Sequence, residues 1–218
     1  LRTRRQRQMC IRDRVPTGTG FKRNAKRILT VGTDCSSGKM YTSLVLDRAL
    51  KDKNIKAKFI ATGQTGILIE GSGISVDAVI SDFIPGSVEM MTGSDDPNEY
   101  LVIEGQGSLF HPSYAGVSLG LLHGSAPDYI IMCHDPTRKH IQHLPDYPIA
   151  DINEVIERNL ISGRLTNPNI KCIGISINSS RLSDAETDKI IKNLEYKTGL
   201  PVTDPCKFGV DKIIAEIK

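Results

Sequence analysis

The fold is decided by ILTVGTDCSSGKMYTSLVL, residues 28–46. An apolar run, Arg27 to Val31, reads as a short strand ending at Gly32, and the helix that follows, Lys39 to Lys51, carries Leu44, Leu46, Ala49 and Leu50 toward a core. Between them lies a glycine-bearing loop. Backbone N–H groups at a helix start point at anionic oxygens, and a lysine there adds a point charge. The predicted phosphate-binding set is therefore Gly32, Thr33, Asp34, Cys35, Ser36, Ser37, Gly38, Lys39, Met40 and Tyr41. The usual pattern, GxxxxGK followed by Ser or Thr, is met only in part. Thr33 stands where the first glycine belongs, with Gly32 one place earlier, and Met40 replaces the magnesium-binding hydroxyl, a role Thr42 or Ser43 would take if the first helical turn were rotated.

Working outward, Ala57 to Thr62 reads as a second strand entering a turn at Gly63 to Gly66. Ile74 to Phe83 has Val76, Val79, Ile80 and Phe83 at helical spacing, and a further helix is predicted near Val88. Tyr100 to Ile103, Tyr129 to Cys133 and Lys171 to Ile177 are strands, the last two apolar enough to be covered on both faces. Ile152 to Leu160, Asp184 to Thr198 and Val210 to Ile217 read as helices. Strands alternating with helices predict an α/β chain: a three-layer P-loop NTPase-like fold with a mostly parallel central sheet. Ligands gather at the carboxyl ends of such strands. That rule selects Gly32 to Lys39, Gly63 to Gly66, Glu104 to Ser108, His134 to Asp135 and Asn178 as one rim.

On that rim Glu104, delivered by LVIEGQGS, is a candidate general base, or a magnesium ligand if the chemistry is magnesium-dependent. His111 follows closely enough to reach the same site, where a neutral imidazole accepts a proton near pH 7. Gln64 and Thr65 suit a small polar substrate, while Asp77 and Asp82, five residues apart, share no helical face well. The five histidines lack ligand spacing, so no metal cluster is expected. Asp135 is either a base or the start of a turn before Pro136. Cys35 at a helix start would have a lowered pKa, yet with no histidine beside it in sequence a packing role is expected. Arg138 or Lys139 would meet substrate carboxylates, or else be solvated turn charges.

The net charge of +3 is misleading, because residues 1–14 hold six arginines and one aspartate and the remainder carries −2. This removes the case for nucleic-acid binding. Residues 1–25 are expected to be disordered or artefactual, the Met9 to Arg14 string MCIRDR reading as translated adapter sequence, and 26–218 to form one domain. No window approaches a membrane span. Five cysteines at irregular spacing without a CxxC pair fit a reducing cytoplasm, with Cys133 and Cys172 as small buried hydrophobes. A small-molecule substrate is implied, and a homo-oligomer is allowed.

The form GTDxxxGK resembles the phosphate loop of dethiobiotin synthetases and related synthetases and amidotransferases. More of the chain, through GTDCSSGKMYT, ATGQTGILI, GSGISVDAVISDFIPGSVE, LVIEGQGSLFHPSYAGVS, LLHGSAPDYIIMCHDPTR and LPVTDPCKFG, resembles the carboxyl-terminal domain of the D-glutamate N-acetyltransferase-like family, long catalogued as a domain of unknown function. The resemblance runs from about Lys26 to Lys218 and implies transfer of acetyl from acetyl-CoA to D-glutamate, with Gly32 to Tyr41 holding the coenzyme phosphates. It also implies an additional amino-terminal Rossmann-like domain, so the chain is expected to be a fragment. The loop form keeps two alternatives open: an ATP- and magnesium-dependent ligase or kinase-like enzyme, and a nucleotide-binding regulator.

Overall fold

The computed structural model describes residues 24–217. The expected behaviour of residues 1–25 falls almost wholly outside that range, although Ala25 is already part of the core. Six strands, β1 (Lys26–Gly32), β2 (Ala57–Ile60), β3 (Tyr100–Ile103), β4 (Tyr129–His134), β7 (Lys171–Ile177) and β8 (Val202–Thr203), form one sheet in the order β2-β3-β1-β4-β7-β8. Every pairing in it is parallel, with Ile28 opposite Val102 on one side of β1 and Leu29 opposite Ile130 on the other. A small antiparallel hairpin, β5 (His140–Ile141) with β6 (Leu144–Pro148), stands apart from it.

Because side chains alternate along a strand, each strand feeds two cores. Leu29, Leu101, Ile130 and Ile175 face α3 (Ile84–Met91), α4 (Ala115–Ser125), α5 (Ile152–Gly163) and α6 (Asp184–Thr198). Ile28, Val102, Ile131 and Ile173 face α1 (Lys39–Asp52) and the single turn α7 (Asp211–Ile214). Chain direction reverses about β1: the crossover from β1 leads outward to β2 and back to β3, and the next leads to β4 on the opposite side. The carboxyl ends of β1 and β3 therefore border a topological switch point, where open α/β sheets place their crevice.

Three predicted elements differ. Ile74 to Phe83 is two separate 3₁₀ turns, Val76–Ala78 and Ser81–Phe83, with Val79 extended between them. Its backbone is tied to the end of β2 by Ile74 N–H to Ala61 O and Val76 N–H to Thr62 O, and those bonds displace a helical ladder. The turn at Gly63 to Gly66 is the start of a helix, α2 (Gln64–Glu70). Val210 to Ile217 keeps only the turn of α7. Helix α4 was not anticipated, since three glycines weaken its helical pattern. Two of them permit its packing: a Cβ on Gly120 would lie 2.7 Å from Ile84 Cγ2, and one on Gly124 would lie 2.4 Å from Pro85 O, so α3 docks against bare backbone.

Candidate functional site

The loop after β1 is shaped by two residues in the left-handed region, Ser36 (φ 49°) and Gly38 (φ 96°). Helix α1 makes its first bond from Thr42 N–H to Gly38 O, and the amides of Ser36, Ser37, Gly38, Lys39, Met40 and Tyr41 donate to no carbonyl of the described residues. A ring of free donors thus remains at a positive helix end. The Lys39 ammonium folds over the loop, donating to Asp34 O at 2.7 Å. Gly32 makes room for it, because a Cβ there would sit 3.0 Å from Nζ. Burial pushes the Lys39 pKa below the usual lysine value.

The other loop residues face inward. Asp34, fully buried, accepts from Cys35 N–H (2.6 Å), the Arg138 guanidinium (2.8 Å) and Gln142 N–H (2.9 Å). Arg138 also donates to Cys35 O and Ser36 O and pairs with Asp135, so it clamps the loop and its charge is taken up there. Thr33 Oγ1 lies 3.0 Å from His134 Nδ1. Burial lowers the His134 pKa to about 4, and the ring is neutral at physiological pH. Thr42 and Ser43 do not reach the loop mouth: Thr42 Oγ1 bonds Gly38 O and pairs with Ser176 Oγ at 2.8 Å, while Ser43 Oγ bonds Lys39 O and pairs with Thr30 Oγ1 at 3.0 Å. Neither replaces the hydroxyl that Met40 lacks.

A cleft of about 510 Å³ opens over Cys35, Ser36, Gly38, Lys39, Met40 and Tyr41. Its opposite wall is the end of β3. Glu104 Oε2 accepts from Thr62 N–H (2.9 Å) and Gly63 N–H (3.0 Å), which fixes the carboxylate where β2 passes into α2. Oε1 has no hydrogen-bond partner among the described residues. Gly105 lets β3 leave across β1, since a Cβ there would fall 1.6 Å from Thr30 O.

Residues 14–214 match the P-loop domain of a family described as a domain of unknown function, DUF1611. The chain belongs to the DUF1611 family. Two curated relatives of this DUF1611 chain are each called "D-glutamate N-acetyltransferase". One from Pseudoalteromonas sp is 49% identical over 92% of this chain, and one from Tritonibacter scottomollicae is 46% identical over 91%. The chain spans 60% of the length of each. A crystal structure of a DUF1611 family protein from Anabaena variabilis superposes with TM-score 0.86 at 37% identity, covering 93% of this chain and 60% of that one. A nucleotide-binding protein from Archaeoglobus fulgidus, solved with ADP, has TM-score 0.54 at 12% identity, covering 88% of this chain and 86% of its own, and shares the P-loop NTPase-like fold.

Within the DUF1611 domain the predicted residues separate. Glu104, Asp77 and Asn178 line the cleft with the loop, and Asp82 does not. Gln64 and Thr65 are exposed on the first turn of α2, outside the lining; Gln106 does line it, and its Nε2 donates to Thr62 Oγ1 at 3.2 Å. His111 is buried one layer behind, stacked at 4.3 Å on Tyr114, which lines the cleft. Its Nδ1 accepts from Ser113 N–H at 3.1 Å, which occupies one of the two ring nitrogens. Folding does bring a histidine to Cys35: ligating atoms of Asp34, Cys35 and His111 lie within 4.8 Å of one another. Within that trio Asp34 accepts from Cys35 N–H, Arg138 and Gln142 N–H, and His111 Nδ1 accepts from Ser113 N–H. Burial raises the Cys35 thiol pKa, against the opposing pull of Lys39, so the expected lowering at a helix start does not occur. Tyr114 and Val117 escaped the sequence reading along with α4.

No helix of the described residues is long and apolar enough to cross a membrane.

Proposed function

We propose that this chain is the phosphate-gripping domain of an acyl-CoA-dependent N-acetyltransferase acting on a small acidic D-amino acid resembling D-glutamate. The observation that carries the reading is the row of unpaired amides from Ser36 to Tyr41, closed by Lys39, at the mouth of a cleft large enough for a phosphate-bearing cofactor. The name borne by the two curated relatives supplies the reaction class.

The bound coenzyme supplies an activated acetyl thioester. The loop amides and Lys39 hold its phosphates. Glu104, anchored through Oε2 with Oε1 unpartnered, takes the proton that the acceptor ammonium must lose before it becomes a nucleophile. Burial of Lys39 lowers the dielectric around its charge, which strengthens its hold on an anion. Coenzyme is favoured over magnesium-bound ATP because Met40 offers no hard oxygen at the loop and the Thr42 and Ser43 hydroxyls are bonded inward, so the carboxylates that line the cleft, Glu104 and Asp77, stand outside the loop.

Calorimetry with acetyl-CoA, and with ATP in the presence and absence of magnesium, followed by thiol release with D-glutamate, tests the proposal. Magnesium-independent acetyl-CoA binding and D-glutamate-dependent thiol release are expected. Tight magnesium-dependent ATP binding without thiol release overturns it in favour of a ligase. Lys39→Ala should weaken coenzyme binding at least tenfold and Cys35→Ala should leave it unchanged, roughly the range of one charge-assisted contact.

A further inference from the structure

Beside the phosphate loop, outside the cleft, the β5–β6 hairpin and the segment after β7 enclose an open groove of about 400 Å³. Its polar lining is Arg138, His140, Gln142, His143 and Arg181, and no acidic side chain is among the lining residues. Arg138 is committed to the loop. Arg181 makes no ion pair or hydrogen bond with any described residue, and neither do the rings of His140 and His143. Three basic or titratable side chains therefore face the groove uncompensated.

Two further features mark the groove. Gln142 Oε1 is buried without a hydrogen-bond partner. A covered acceptor of this kind costs free energy unless a donor arrives. Its residue is not loose, because Gln142 N–H is held by Asp34 Oδ2 at 2.9 Å and the neighbouring Ile141 is buried. Secondly, His143 is the second residue of the two-residue turn between β5 and β6 and takes its left-handed position (φ 65°), which glycine adopts without cost.

From this arrangement we infer that the groove holds the carboxylate end of the acidic amino acid: Arg181 forks a carboxylate, and His140 and His143 flank the anionic end. The inference rests on the acyltransferase reading for its choice of amino acid. The groove adjoins the cleft, since Arg138 lines the groove while its guanidinium holds Cys35 O and Ser36 O, two residues that line the cleft.

The test follows the ring proton resonances of His140 and His143 while D-glutamate, glutarate, inorganic phosphate or adenosine 3′,5′-bisphosphate is titrated into the protein. D-Glutamate should shift both resonances saturably, and glutarate, which keeps both carboxylates, should do the same. Arg181→Gln should weaken D-glutamate binding about tenfold, the loss of one charge-assisted fork. His143→Gly should weaken binding while the melting temperature holds or rises, because glycine relaxes the turn.

Shifts caused by the bisphosphate or by phosphate alone assign the groove to the coenzyme and overturn the inference, as does unchanged D-glutamate affinity in Arg181→Gln. Thiol release is scored separately. If it is absent while the D-glutamate shifts and the Arg181 effect persist, the groove assignment stands and the acyltransferase reading fails. If it is present with the same KM for D-glutamate in Arg181→Gln as in the parent, the acyltransferase reading stands and the groove assignment fails.

Discussion

Acidification should unfold this domain partly through His134. Its ring is buried against Thr33 at the base of the phosphate loop, and burial lowers its pKa from 6.5 to about 4. In that window the unfolded chain binds the proton and the folded chain refuses it, so the unfolded state carries more protons and stability rises with pH. The contribution is fully present above about pH 7 and is lost as pH falls from about 6.5 toward 4. At 1.36 kcal/mol per pKa unit the whole window is worth about 3 kcal/mol, and roughly 2 kcal/mol is lost between pH 7 and pH 5. For a domain of this size that corresponds to a fall of about 4–8 °C in melting temperature. Chemical denaturation of the parent and of His134→Asn at pH 7 and pH 5 isolates the effect, since the other titrating groups are common to both. The variant should lose about 2 kcal/mol less than the parent over this interval. Equal losses would mean that the ring takes its proton freely in the folded state, and the argument from burial would be wrong.

Gly105→Ala places a methyl group on Thr30 O and should cost about 3 kcal/mol or more by urea denaturation, whereas Gly116→Ala on α4, with nothing within 4 Å, should be neutral or stabilising. Arg138→Gln strips the buried Asp34 of its cationic partner and should destabilise by about 3 kcal/mol, and it should loosen the loop enough to speed exchange of the Cys35 amide, which Asp34 Oδ1 holds. Met40→Thr restores the missing hydroxyl and should introduce a measurable magnesium dependence into nucleotide binding; calorimetry with and without the ion checks it.

The sheet was legible because its strands are apolar on both faces and end at glycines or polar residues, and β1, β3, β4 and β7 fall where the sequence put them. Helix α6 was legible to the residue: Ser183 and Glu186 form a capping box at one end and Gly199 closes the other. What the sequence concealed was long-range. The Ile74 to Phe83 stripe has helical spacing, yet bonds to Ala61 and Thr62 hold it open, and no local pattern encodes a partner elsewhere in the chain. Gln64 and Thr65 sat correctly at a strand end but point outward once α2 begins, and Gln106, three positions from the end of β3, lines the cleft. Cys35 and His111 are 76 positions apart in the chain and meet only because α4 starts behind the loop. The clamp by Arg138 was hidden for the same reason: its carboxylate partner Asp34 lies 104 positions away.

Helix α1 meets the sheet through Thr30 with Ser43 and Thr42 with Ser176, hydroxyl against hydroxyl, before its leucines take over further along. Apolar surfaces tolerate sliding, because dispersion has no direction; paired hydroxyls do not, because each displacement strands a donor in a dry place. The opening turn of that helix is consequently keyed to a single register, and under the proposed function an anion at its tip would meet a rigid socket whose entropy of ordering was already spent when the chain folded.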